Sequence, residues 1–222
     1  MSELTLIVPA KNESESLPHV LDELKIHDVK IKVVLHEKDI LTINSIRDYD
    51  CEVVFQKNEG FGDALIQGIS ETHTKYFCIF NSDGSFDPSE LDGMLNKIKG
   101  SDYDFIFASR YQKNSGSDDD TIITFIGNFI FTKLGNIFFK LPITDVLYTF
   151  TMGKTDCAKK LNLLQKDFSF CIEFPIKAMR MKMKLATSNA YERKRIAGKK
   201  KVNAFRDGLL ILIHMVYLFF KK

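Results

Sequence analysis

A chain of 222 residues with 45% hydrophobic side chains can bury one large core, which argues against disorder and for a single domain with at most a small appendage. The net charge of +2 hides a polarity: residues 1–110 hold 11 Lys/Arg against 20 Asp/Glu, and residues 111–222 hold 20 against 9. The second half is therefore the one suited to phosphates or anionic lipid, with a bipolar solvated surface as the alternative. Cys51, Cys78, Cys157 and Cys171 lie far apart without metal-ligand spacing, so neither a zinc site nor a disulfide framework is indicated and a reducing compartment is expected.

In chain order, "LTLIVPA" reads as a buried strand and is too short and poorly flanked for a signal peptide. "SESLPHVLDELKI" follows as a helix with Leu17, Val20, Leu21 and Leu24 on one face. "IKVVLH" and "CEVVFQ" read as the second and third strands, and "ALIQGI" lies in a helix opened by Gly60 and Gly62. "KYFCIF" is a fourth strand, "PSELDGMLNKI" a helix with Pro88 near its first turn, and "DFIFAS" a fifth strand. This alternation predicts an α/β fold whose mostly parallel sheet is covered by helices on both faces. Such sheets bind ligands beyond the carboxyl ends of their strands, where residues 9–13, 36–39, 57–62 and 81–87 all fall. "NSGSDDD", after the fifth strand, reads as a mobile loop.

From Ile122 the pattern changes. "IITFIGNFIFTKLGNIFFKL" sets Thr124, Asn128, Thr132, Asn136 and Lys140 at steps of four, leaving a broad apolar face with five phenylalanines. Its polar content argues against a spanning helix, so one or two amphipathic helices at about 121–141 are expected in a membrane interface, or else packed on the sheet as ordinary core. The C-terminal "LLILIHMVYLFFKK" reads as a hydrophobic helix within 206–222. Its apolar run would extend about 18 Å, short of the roughly 30 Å hydrocarbon core, so the readings are a helix that dips into one leaflet with Lys221 and Lys222 at the headgroups, a terminal helix docked on the domain, or the cut end of a longer membrane region.

The chemistry-bearing residues sit at the strand ends. In "NSDGSFDP", Asp83 followed by Gly84 and Ser85 could ligate a magnesium or manganese ion that also contacts a diphosphate, since hard cations take oxygen ligands and often only one or two carboxylates. The alternative is a plain N-capped turn. A haloacid-dehalogenase-type phosphatase would need a carboxylate nucleophile where Asn81 stands. Gly60 and Gly62 offer backbone N–H groups to a phosphate or sugar. "ASRY" leaves Arg110 at the same rim, and "ERKRIAGKKKV" gathers Arg193, Lys194, Arg195, Lys199, Lys200 and Lys201 around Gly198. Phosphate contact suits these cations, and a solvated basic loop is the bland alternative. Nucleic acid is not expected, because only Tyr191 and Phe205 flank the cluster for base stacking.

Taken in order, these segments resemble the inverting family 2 glycosyltransferases, and among them the dolichyl-phosphate mannose synthase-like, or polyprenyl-phosphate sugar synthase, group. "LIVPAKNESESLPHVL" is similar to that family's "VPxYNExxNL", "NEGFGDALIQGI" to "GxGxAxxxG", "NSDGSFDP" to "DADxxxxP", "ASRY" to "GSRY" and "RIAGKKKV" to "RxxGxSKl". The resemblance implies a GT-A type fold over 1–205, with 1–110 binding the nucleotide sugar, 111–205 the acceptor, and 206–222 the terminal helix. It implies a GDP- or UDP-sugar donor, a divalent metal, a polyprenyl phosphate acceptor and a place on the cytosolic face of a membrane. A soluble glycan acceptor or an inactive nucleotide-sugar-binding relative are the alternatives. Carried over by position, Asp83 becomes the metal ligand with Ser85 and Asn81 as auxiliaries. Pro9, Ala10, Asn12, Glu13, Glu37, Asn58, Gly62, Asn81 and Asp83 line the donor site. Asp83, Arg110 and Arg195 form the catalytic set, and Arg110, Arg195 and Lys201 meet the acceptor phosphate. The departures from the family are Asn81 for the first acid of DxD, His36 and Glu37 for the usual acidic pair after the second strand, Thr151 for an arginine following Asp145, and Lys200 with Lys201 for the late "SK". Glu173 matches a late acidic position without an assigned role.

Overall fold

The computed structural model describes residues 2–198 and 201–221, so Lys199, Lys200 and Lys222 of the basic segments lie outside the described residues. The first half alternates as expected: β1 (Leu4–Pro9), α1 (Leu17–Leu24), β2 (Lys30–Leu35), α2 (Ile40–Ser45), β3 (Glu52–Phe55), α3 (Phe61–Ser70), β4 (Tyr76–Ile79), α4 (Glu90–Lys99) and β5 (Phe105–Ser109). The central strands β1, β4 and β5 are buried on both faces, whereas β3 at the sheet edge is largely exposed. Leu6 and Val8 of β1 join one cluster with Leu17 and Leu21 of α1 and Met94 of α4, while Ile7 turns to the other with Leu65 and Ile69 of α3.

The second half supplies β6 (Gly116–Ser117), α5 (Ile122–Phe139), β7 (Thr151–Lys154), α6 (Thr155–Lys160), α7 (Phe170–Arg180), β8 (Leu185–Asn189), β9 (Tyr191–Glu192) and α8 (Ala204–Phe220). The main sheet has the order β3-β2-β1-β4-β7-β5-β8. The pairs β1–β2, β2–β3, β1–β4 and β5–β8 are parallel, and β7 is antiparallel to both β4 and β5. The strand order therefore turns at β1, with β2 on one side and β4 on the other, so the carboxyl ends of β1 and β4 flank the crevice such folds use for ligands. The pairing of β6 with β9 gives the expected mobile loop at 114–120 a fixed anchor, which corrects that expectation.

α5 is a single helix, and its polarity is reversed. Asn128 is 2% exposed and Thr132 7%, whereas Phe129 is 54% exposed and Ile137 67%. The polar stripe faces the protein because it has work there. Asn128 Nδ2 donates to Asp145, Asn128 Oδ1 accepts the Leu147 N–H at 3.1 Å, Thr132 Oγ1 accepts the Val146 N–H at 3.1 Å, and Asn136 Nδ2 donates to the carbonyls of Leu141 and Ile143. Every one of these bonds satisfies a backbone or carboxylate group of the loop between α5 and β7. α8 packs beside α5, with Phe219 against Phe138 and Phe139. It docks on the domain through Ile211, Met215 and Leu218.

Candidate active site

The site is built where β1 and β4 end. Ser82 Oγ donates to the Pro9 carbonyl at 2.9 Å, tying the two strand ends together. After Pro9 and Ala10 the chain turns at Asn12, whose φ of 53° lies in the left-handed region that Asn tolerates. Asp39 holds that turn: one carboxylate oxygen accepts the Asn12 N–H at 2.6 Å and the other caps α2 through Thr42 N–H. Glu13 is buried, with its N–H on Thr42 Oγ1 at 3.0 Å and its carboxylate accepting from Ser16 Oγ at 2.6 Å and from Lys201.

On the β4 side, Asp83 Oδ1 accepts the Ser85 N–H at 3.1 Å, and Asn81 spans the turn, accepting from Phe86 N–H while its amide meets Ser85 Oγ. Gly84 is required by its φ of 81°, a left-handed conformation that side-chain-bearing residues rarely adopt, and the Ile196 side chain packs directly over it. That contact belongs to a strap, residues 193–196, laid along the turn by the bonds Arg193 N–H to Ser85 O and Ile196 N–H to Asp83 O, both 2.8 Å. Arg193 is pinned on Glu23 at 2.7 Å. Arg195 brings its Nη1 to 3.3 Å from Asp83 Oδ2 and its Nη2 to 3.1 Å from Asp119 Oδ2. Burial works against the Arg195 charge, but the hydrogen bond to Asp119 and the Asp83 carboxylate outweigh it and hold the guanidinium above its ordinary pKa.

Of the expected residues, Pro9, Ala10, Asn12, Glu13, Asn81, Asp83, Ser85, Arg195 and Lys201 meet around this crevice. Arg110 does not face open space. Its Nε and Nη2 fork onto Asp145 at 2.8 and 3.0 Å, its Nη1 reaches Glu192 at 3.1 Å, and its guanidinium lies 4.5 Å from the Tyr148 ring centroid. The expectation that Arg110 contacts phosphate is corrected: burial between two carboxylates makes it a brace. Gly62 and Asn58 are also corrected. A Cβ on Gly62 would lie 2.1 Å from the Gln165 carbonyl, Asp63 N–H already donates to Lys166 O, and Asn58 closes its own turn onto Asp63. The glycine pair lets the 165–167 backbone pack against α3 and leaves no opening for a sugar. Glu37 is exposed on the rim and, among the described residues, makes no hydrogen bond or ion pair. Glu173 is buried on α7 and caps the Leu164 and Gln165 N–H groups. Asp39, Asp119 and Glu192 are the site residues the sequence did not single out. Only Asp39 left a trace, as an N-cap three residues before Thr42.

A divalent ion is compatible with this donor set. Asp83 and Ser85 present hard oxygens at one turn, and a single carboxylate suffices for magnesium or manganese when substrate phosphates supply further ligands. No group of three or more His, Cys, Asp or Glu able to hold a metal unaided occurs among the described residues.

A mostly parallel α/β sheet, with an acid at the end of β4 and a basic strap over it, defines a nucleotide-sugar-dependent transferase of GT-A fold. Residues 5–161 match the family model "Glycosyl transferase family 2", and the chain belongs to that family and is a glycosyltransferase. An uncharacterised glycosyltransferase of Mycobacterium tuberculosis is 21% identical over 211 residues, covering 95% of this chain and 94% of that protein. The low-salt glycan biosynthesis hexosyltransferase of Haloferax volcanii is 21% identical over 216 residues, 92% of this chain and 51% of that protein. Among solved structures, glucosyl-3-phosphoglycerate synthase of Mycobacterium tuberculosis, in complex with Mn2+, UDP and glucosyl-3-phosphoglycerate, superposes with a TM-score of 0.78. The match covers 97% of this chain and 79% of that one at 13% identity. The same enzyme has also been solved with Mg2+ and UDP.

Proposed function

We propose that this glycosyltransferase belongs to the polyprenyl-phosphate sugar synthase group. It moves a sugar from GDP or UDP to a polyprenyl phosphate at the cytosolic face of a membrane, with inversion at the anomeric carbon. The observation that carries the lipid acceptor is the reversed α5, which spends its polar stripe on the protein and turns its phenylalanines outward beside α8.

Pro9, Ala10, Asn12 and Glu13 form the nucleotide side of the crevice, with Glu37 at the rim for the base and Asn81 and Asp83 opposite. A magnesium or manganese ion on Asp83, with Ser85 and Asn81 as oxygen auxiliaries, would neutralise charge on the departing diphosphate. Arg195 turns from the two carboxylates to phosphate oxygens, a bidentate exchange that guanidinium geometry favours. Lys201 leaves Glu13 and adds a second cation. Arg110 acts from behind: through Glu192 it fixes β9 and the segment carrying Asp119, and so sets where Arg195 rests. A lipid phosphate is already anionic, so its oxygen attacks without a strong general base.

The test is incubation of purified protein with labelled GDP- and UDP-sugars, manganese, and either polyprenyl phosphate or soluble acceptors. Lipid-linked product is expected, reduced at least about 100-fold in Asp83→Ala. Transfer to a soluble glycan or phosphorylated acid alone would move the acceptor off the membrane. Undiminished transfer by Asp83→Ala would remove Asp83 from the chemistry.

A further inference from the structure

The two apolar helices end beside a cavity that the donor site does not use. It is an open cavity of about 320 Å3 between the C-terminal ends of α5, α7 and α8, within the usual size range of small-molecule sites. Phe138, Phe139, Phe219, Ile176 and Met179 form its apolar wall, and Lys140 and Arg180 are the charged groups that line it. Among the described residues neither cation makes an ion pair. Lys140 is the left-handed C-cap of α5, at φ 57°, and Arg180 Nη2 donates to the Leu218 carbonyl of α8. Cations commonly sit at helix C-termini to complement the helix dipole, but that need does not explain why two of them, from different helices, converge on one apolar cavity. Such a lining matches an anionic amphiphile: a chain among phenyl rings and a pliable thioether, and an anion on an ammonium and a guanidinium. α5 runs about 27 Å from the loop carrying Asp119 to this end, so the cavity is distinct from the Asp83 crevice.

We propose that this cavity binds one anionic phospholipid of the bilayer, with the headgroup phosphate on Lys140 and Arg180 and the start of an acyl chain among Phe138, Phe139, Phe219 and Met179. The bilayer as source rests on the membrane-surface reading above; the cavity's preference for an anionic amphiphile does not.

The chain contains no tryptophan, so Phe138→Trp places a single fluorescent reporter in the wall. The reporter protein is titrated with a short-chain lysophosphatidylglycerol below its micelle concentration, with the matching lysophosphatidylcholine, and with decanoate. A saturable blue shift is expected, at least about tenfold tighter for the anionic lysolipid than for the choline form, and weakened by a similar factor in Lys140→Glu. Arg180→Glu can release α8, so the exposed Lys140 is the deciding position, with circular dichroism confirming the fold. No saturable shift, equal affinity for the two headgroups, or an unchanged Lys140→Glu overturns the site. Decanoate binding as tightly as the lysolipid overturns the phospholipid assignment in favour of a soluble carboxylate. Sugar transfer is assayed in parallel: transfer without lysolipid binding refutes the cavity alone, and lysolipid binding without transfer to polyprenyl phosphate refutes the acceptor reading alone.

Discussion

Asp83 brings one negative charge to the donor crevice, and Arg195 already answers it with one positive charge, so a dication must compete for that carboxylate. The position that would tip the balance is Asn81. Its Oδ1 accepts the Phe86 N–H, a bond a carboxylate would keep, and its contact with Ser85 Oγ survives if the hydroxyl becomes the donor. Asn81→Asp is therefore expected to fold normally and to add one charge beside Asp83. A unit charge about 4 Å from a dication is worth about 8 kcal/mol at an effective dielectric of about 20, before desolvation is subtracted. Manganese affinity, read by electron paramagnetic resonance without donor, should rise at least about tenfold. Unchanged affinity would place residue 81 beyond the ion's reach and leave its amide as a brace of the turn.

Among the elements, α5 decides most. Asn128→Leu would strip a donor from buried Asp145 and an acceptor from Leu147 N–H, and each unmet buried group costs about 1–3 kcal/mol. Denaturant unfolding should show that loss; a shift near zero would mean the stripe faces solvent. α8 carries its own test in His214, whose Nε2 is buried without a partner. Burial lowers its pKa, against an opposing pull from Glu173 and Asp167 and with a small further push down from Lys177. Because the folded state binds its proton less readily than the unfolded chain, stability is full above the unfolded value of about 6.5 and declines as pH falls below it. The urea midpoint should drop between about pH 7.5 and 5.5, and His214→Phe should flatten that slope. These elements also show what the sequence could and could not reveal. β1, β2 and β4 were legible because strands buried on both faces are written as continuous apolar runs. β7 was not, since its four residues include Gly153, kept small by the Phe77 and Phe105 rings. The period of α5 was legible but its direction was not, because a stripe says which residues share a face and not which face turns inward. Asp83 could be read as an acid at a strand end, whereas Asp119 could not, since it meets Arg195 across 76 positions of sequence.

At the scale of the molecule, α5 and α8 together expose large apolar side chains from Ile122 to Phe138 and from Phe205 to Phe220, an apolar face of the kind that marks an interaction surface. The positively charged half of the chain carries it, with Lys133 and Lys140 on α5 and Lys221 after α8 close by. On the proposed membrane reading, anionic headgroups would meet the cations and acyl chains would take the phenylalanines. Phe129 and Ile213, 54% and 56% exposed, are suited to a test because glutamate at either position keeps contact with water in the soluble fold. A large apolar side chain contributes about 1.5–3 kcal/mol when fully buried, and only about half of each of these two is free to enter acyl chains, so Phe129→Glu with Ile213→Glu should lower vesicle affinity at least about tenfold, in roughly the additive range. Co-sedimentation with phosphatidylglycerol vesicles reads the loss, and thermal unfolding confirms the fold. Salt separates the two contributions: binding that vanishes entirely at about 1 M salt would be electrostatic alone, while the apolar face predicts a residue of binding that survives it. Should wild-type protein ignore vesicles and instead form a dimer that the same double variant dissolves, the face is covered by a second copy, and the membrane reading fails.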